Sequence, residues 1–129
     1  MLMRTVVLAG VAALVIACTV VPVYNVKSAP VTTASGKTPE AAQVRRAIVT
    51  AGASLGWKMT DLKPGVMQGT LDLRSHQAVV EIPYSEKSYS IVKTSTTNLN
   101  ESGDTIHKNY NGWIQNLERA INAGISTLD

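Results

Sequence analysis

Phenylalanine is absent from the 129 residues, cysteine occurs once and histidine twice. Charged residues make up only 16%, against about 25% in ordinary soluble domains. Each shortage excludes something. A single cysteine cannot close an internal disulfide, so no disulfide framework staples the chain. A zinc site needs three or four Cys, His or carboxylate ligands at characteristic spacings. One thiol with His76 and His107 does not meet that need, so neither a metal nor a cofactor is implied. Hydrolysis requires a nucleophile, a base and an orienting group brought together. His107 follows Asp104 by three residues and can pair with it, but no nucleophile-elbow glycine pattern accompanies them, and no catalytic residue is expected. Gly65 and Gly69 flank a strand and neither opens a helix, so there is no phosphate loop. The formal net charge of +3 is a slight imbalance rather than a basic stripe, which argues against a nucleic-acid partner.

What is present begins with one hydrophobic run. Arg4 supplies a positive flank, Thr5 to Ile16 an apolar stretch, and Ala17 a small residue ahead of Cys18, the three-part pattern of an export signal. Val15-Ile16-Ala17-Cys18 resembles the lipobox of bacterial lipoproteins. That resemblance implies diacylglycerol on the Cys18 thiol, cleavage after residue 17 and three acyl chains in the mature protein, enough for durable anchoring where one is marginal. It also accounts for the odd cysteine. Thr19 stands where an Asp would retain a Gram-negative lipoprotein in the inner membrane, so the resemblance leans to the outer membrane. The alternative is an uncleaved anchor helix over Val6 to Val23, almost the ~20 apolar residues a span needs but interrupted by Pro22.

Residues 18–37 read as the lipidated end and a flexible tether. Pro22, Pro30, Ser28, Ser35 and Gly36 fall there without helical or alternating period. Residues 38–129 read as one small domain. Thr38-Pro39-Glu40 predicts a helix start, with threonine as cap and proline in the first position. Val44, Ala47, Ile48, Ala51 and Leu55 follow at three- and four-residue steps up to Gly56. Four strands are predicted next: Trp57 to Leu62, Val66 to Leu73, His76 to Tyr84 and Tyr89 to Leu99. Met67, Gly69, Leu71 and Leu73 share one face, as do Ala78, Val80 and Ile82. The last helix carries the stripe Tyr110, Trp113, Ile114, Leu117, Ala120, Ile121 and Ile125, with Asn109 as its cap. The sum is an α+β two-layer sandwich: an antiparallel meander of three or four strands between N- and C-terminal helices, order αββββα, both helices on one face.

Ser88-Tyr89-Ser90-Ile91, Asn98-Leu99-Asn100 and Ile106-His107-Lys108-Asn109-Tyr110-Asn111-Gly112-Trp113-Ile114, together with the lipobox, resemble a family of small uncharacterised proteobacterial lipoproteins. The resemblance implies an envelope location and no activity. Its polar residues, Asn98, Asn100, His107, Asn109, Tyr110 and Asn111, form a candidate binding rim, since amides supply donors and acceptors together and aromatic rings supply apolar area with a polar tip. Asparagines also cap helices and accept left-handed backbone, which accounts for several of them structurally. Two functional readings result. One is a non-catalytic interaction module that docks an envelope protein on the second face of its sheet or along the Ser/Thr-rich strand Tyr89 to Leu99. The other is a domain for peptidoglycan or another envelope glycan. Arg45 and Arg46 lie off the first helix's stripe and read as solvated, with lipid head groups as the alternative contact.

Overall fold

A computed structural model describes residues 19–129, so the stretch that resembles a lipobox, Val15 to Cys18, lies outside the described residues. The expected α+β sandwich is present, with additions at the N-terminal side. Helix α1 spans Ala41–Ser54 and buries Val44, Ala47, Ile48 and Ala51 on one face. Leu55, expected on that stripe, is instead the C-cap residue and stands exposed. Gly56 follows at φ +85°, a left-handed conformation that glycine adopts at least cost. The helix also starts later than expected. Glu40, not Thr38, is the N-cap, and its backbone N–H donates to the Gln43 side-chain oxygen at 2.8 Å. A side chain three residues ahead thus satisfies a backbone donor there, as in a capping box.

For the remaining elements we number strands in chain order. β1 is Val20–Pro22, β2 Val26–Pro30, β3 Trp57–Lys63, β4 Val66–Leu73, β5 His76–Pro83, β6 Ser88–Thr97 and β7 Thr105–His107; helix α2 is Lys108–Ser126. β3 to β6 form the expected antiparallel meander. Alternate positions Trp57, Met67, Leu71, Ala78, Val80, Ile82, Tyr89 and Ile91 enter one core with the buried stripes of both helices. Helix α2 buries Tyr110, Ile114, Leu117, Ile121 and Ile125, a sequence of three- and four-residue steps that keeps one helical face inward. Both helices therefore cover the same face of the sheet.

The tether reading for residues 18–37 is corrected. β2 pairs antiparallel with β6 and extends the meander to five strands, order β2-β6-β5-β4-β3, while β1 pairs with β7 as a separate two-stranded sheet. Val26 is buried, and Val23, Tyr24, Ala29 and Val31 pack against the core. The segment carries no alternating period because it never forms one long strand. A register shift separates Val26 from Ala29, Ser28 has φ +49°, and Pro30 ends the pairing. Its stability comes from partners 58 to 65 residues away, which local pattern does not reveal. Val20–Pro22 belongs to β1, and among the described residues no helix is long and apolar enough to cross a membrane.

Candidate functional site

The candidate rim gathers at the start of α2, but the amides of Asn98 and Asn111 are bonded to the chain's own backbone. Asn98 and Asn100 take left-handed backbone, φ +57° and +51°, a conformation asparagine tolerates better than most residues. The Asn98 amide donates to the Ser75 carbonyl at 2.7 Å, and its own carbonyl accepts from the His76 Nδ1–H at 2.7 Å. Asn111 accepts from the Tyr24 backbone N–H and donates to the Pro22 carbonyl, both at 2.9 Å. The cap of α2 is His107 rather than Asn109: the His107 Nδ1 accepts from the Asn109 N–H at 3.1 Å. That bond leaves the proton on Nε2. Asp104 is not paired with this ring; its backbone carbonyl accepts from Val23 N–H instead. Asn109 and Asn100 are exposed. Tyr110 does not belong to a surface rim at all, because it is fully buried. Position 110 faces the sheet on the helical stripe, and its hydroxyl is carried in with the ring. His76 is half-buried and its ring lies 6.4 Å from that of Trp113, at 52°.

A second polar cluster was not visible in the sequence. Glu118 and Asn122 sit one helical turn apart on α2, beside the apolar stripe rather than opposite it. Tyr24 of the β1–β2 link donates its hydroxyl to Glu118 Oε2 at 2.6 Å, and Tyr89 of β6 donates to Asn122 Oδ1 at 2.6 Å. The hydrogen bond to Glu118 holds the Tyr24 proton on and raises its pKa above the ordinary tyrosine value. Burial raises that of Tyr89 much further, with the Glu118 charge assisting. Burial does the same for Tyr110, with a smaller contribution from Glu101. The only sequence signal was the spacing of Glu118 and Asn122 next to the buried stripe.

These shifts make stability depend on alkaline pH. Tyr89 and Tyr110 keep their protons in the native chain where an unfolded chain loses them. The stabilisation is therefore complete below about pH 10 and is lost as pH rises beyond it. In a spectrophotometric titration we expect these two phenols to ionise only together with unfolding. Reversible ionisation of all four tyrosines near pH 10, with circular dichroism unchanged, would falsify this.

Other surfaces offer less chemistry. A groove of about 440 Å³ runs between α1 and α2, lined by Ala47, Ala51, Ala120, Ala123 and Gly124 with Arg46 at its side. The hydroxyls of Ser54 and Thr127 beside it turn back onto their own helices, to the carbonyls of Ala51 and Gly124. Arg45 is held by Asp61 through two hydrogen bonds, 2.9 and 2.7 Å, with the guanidinium keeping the Asp61 carboxyl below its usual pKa. No three His, Cys, Asp or Glu side chains converge among the described residues.

The sheet's second face is different. Its cross-strand rows are Lys58–Thr70–Val79–Ser95, Thr60–Gln68–Glu81–Val92 and Asp72–Gln77–Thr97, read from the register. All eleven positions are exposed or half-buried, and no described element covers them. The rows are rich in Thr, Gln, Ser and Val, with charges confined to Lys58, Asp72 and Glu81. The edges are less inviting. β3 carries Lys58, Lys63 and a register shift; β2 carries Lys27, its own shift and Pro30. Such features keep a sheet edge from accepting another strand. β6, expected to offer a pairing edge, is an interior strand with β5 on one side and β2 on the other over its first half. No family model, no curated protein and no solved structure matches this chain.

Proposed function

We propose that the chain is a lipid-anchored protein of the bacterial envelope, facing the periplasm from the outer membrane, and that it acts without catalysis as an interaction module. Its docking surface is the open face of the sheet, and its occupant is another envelope protein. The observation that carries this reading is that the face is broad, largely uncharged and uncovered by described elements, while two of the alternative rim's amides, Asn98 and Asn111, are bonded to the chain's own backbone. A face of this composition suits a flat protein surface that matches Thr, Gln and Val side chains with its own apolar and hydrogen-bonding groups. The guarded β2 and β3 leave the sheet face, with the adjoining stretch of β6 beyond Ile91 that β2 does not pair, as the open surface. The lipobox supports the envelope location.

The test places a photo-crosslinking residue at Thr70 or Gln68, with Arg119 on the far side of α2 as control. We expect the same discrete protein adduct from both sheet positions, none from Arg119, and its loss when Val92→Arg is added to a chain whose circular dichroism is unchanged. Equal capture at Arg119 overturns the choice of face. Captured peptidoglycan fragments favour the glycan reading in its place.

A further inference from the structure

The attachment of residues 19–24 to the domain has a consequence for how the domain meets the membrane, and it rests on the lipoprotein reading above. Cys18 is bonded directly to Thr19, and Thr19 is already part of the fold: its carbonyl accepts from the Lys108 N–H at 2.7 Å, at the first residue of α2. The next three residues pair with β7. Val23 N–H then donates to Asp104 O at 2.8 Å, Asn111 clamps Pro22 and Tyr24, and Tyr24 reaches Glu118. No slack separates the lipidated residue from the domain. We infer that the pole of the domain at the start of α2 lies flush against the lipid bilayer, so that the anchor fixes orientation as well as location.

Hydrogen bonds knit that pole across the width of the sheet. The β4–β5 turn at Ser75 is tied to Asn98, Leu99 carbonyl accepts from His107 N–H at 2.8 Å, and His107 is the register partner of Val20. Its outer surface includes Val20 and Leu73, 38% and 45% exposed, with the cations Arg74 and Lys108 also exposed. Asp72, Glu101 and Asp104 are the exposed acids of the same end, and Glu101 is paired with Lys93. Exposed Val20 and Leu73 among charges of both signs suit the boundary between acyl chains and head groups. The bonded asparagines lie at this pole too, so the amide cluster stiffens the membrane-facing end. The open sheet face stands side-on to the bilayer. The far pole, with Lys63 and Pro64, lies roughly the length of α2 away, 19 residues or about 28 Å at 1.5 Å per residue.

The test uses the full chain purified from membranes and returned to vesicles of phosphatidylethanolamine and phosphatidylglycerol. Mass spectrometry first reads the acylation of Cys18. Because that thiol is consumed by lipid and is the chain's only cysteine, Lys108→Cys and Lys63→Cys each offer a single site for a fluorophore. With nitroxide on the lipid head groups, we expect several-fold stronger quenching at position 108 than at 63. A glycine-serine spacer of about ten residues between Cys18 and Thr19, spanning roughly 16–19 Å on average, is expected to reduce that difference. Acylated Cys18 with equal, weak quenching at both positions overturns this inference alone. Cys18 without acyl chains overturns the lipoprotein reading and this inference together.

Discussion

A chain that begins at Val31 is expected to lose its cooperative fold, whereas removal of residues 1–17 alone leaves stability unchanged. The distinction follows from β2. Its deletion removes Val26, only 4% exposed, whose burial contributes about 1.5–3 kcal/mol. It also removes Tyr24 and Ala29, which pack on the same core, and the hydrogen bond from Tyr24 to Glu118. Asn111 loses both its partners, at about 0.5–1.5 kcal/mol for each net bond. Tyr89 and Ile91, the register partners of Ala29 and Val26, then become an edge next to solvent. The core then lacks its cover along β6, a loss that a marginally stable domain cannot spare. Urea denaturation followed by circular dichroism decides the matter. An unchanged midpoint for the chain starting at Val31 would return residues 18–37 to the status of a tether.

Replacement of Tyr110 separates two effects that usually travel together. Tyr110→Ala is expected to cost about 3–5 kcal/mol, because it opens a ring-sized cavity among fully buried neighbours. Tyr110→Phe is expected to act in the opposite direction. Among the described residues the buried Tyr110 hydroxyl has no hydrogen-bond partner, and an unsatisfied buried hydroxyl costs about 1–3 kcal/mol. Removing it should stabilise the domain by about 1 kcal/mol and raise Tm by roughly 4–8 °C. Tyr89→Phe is the internal control. Its hydroxyl is bonded to Asn122, so the same change should cost about 1 kcal/mol. Thermal unfolding of the three variants tests the account. A Tyr110→Phe protein less stable than the parent would show that the hydroxyl has a partner after all.

The outer parts of the fold were legible because they rest on local periodicity. Val44, Ala47, Ile48 and Ala51 in α1, and Tyr110, Ile114, Leu117, Ile121 and Ile125 in α2, repeat at the helical step and are buried as that step requires. Ala78, Val80 and Ile82 alternate and face the core together. The turn at Lys63-Pro64-Gly65 and the helix stop at Gly56 follow from backbone preference, Gly65 and Gly56 having φ +80° and +85°. Leu73 shows the limit of pattern reading: it has the right parity but lies beyond the helices' cover, and is 45% exposed.

The candidate rim was read from residue types, and types do not say where a side chain points. Asn98 and Asn111 have the chemistry to bind a sugar, and the chain spends it on Ser75, Pro22 and Tyr24. Glu118 and Asn122 lie off the apolar stripe of α2, and their bonds come from two tyrosines of other elements.

Residue periodicity, then, was enough to establish the helices, the meander and the face that each buries, because those depend on neighbours within a few positions. The placement of residues 19–30 was not accessible that way. β1 meets β7 across 83 to 87 residues and β2 meets β6 across 58 to 65, and such pairings are selected by the fit of surfaces that exist only after the core has formed. The same long-range closure turned an apparent tether into two strands and an apparent rim into internal hydrogen bonds, and it left one face of the sheet uncovered by any described element.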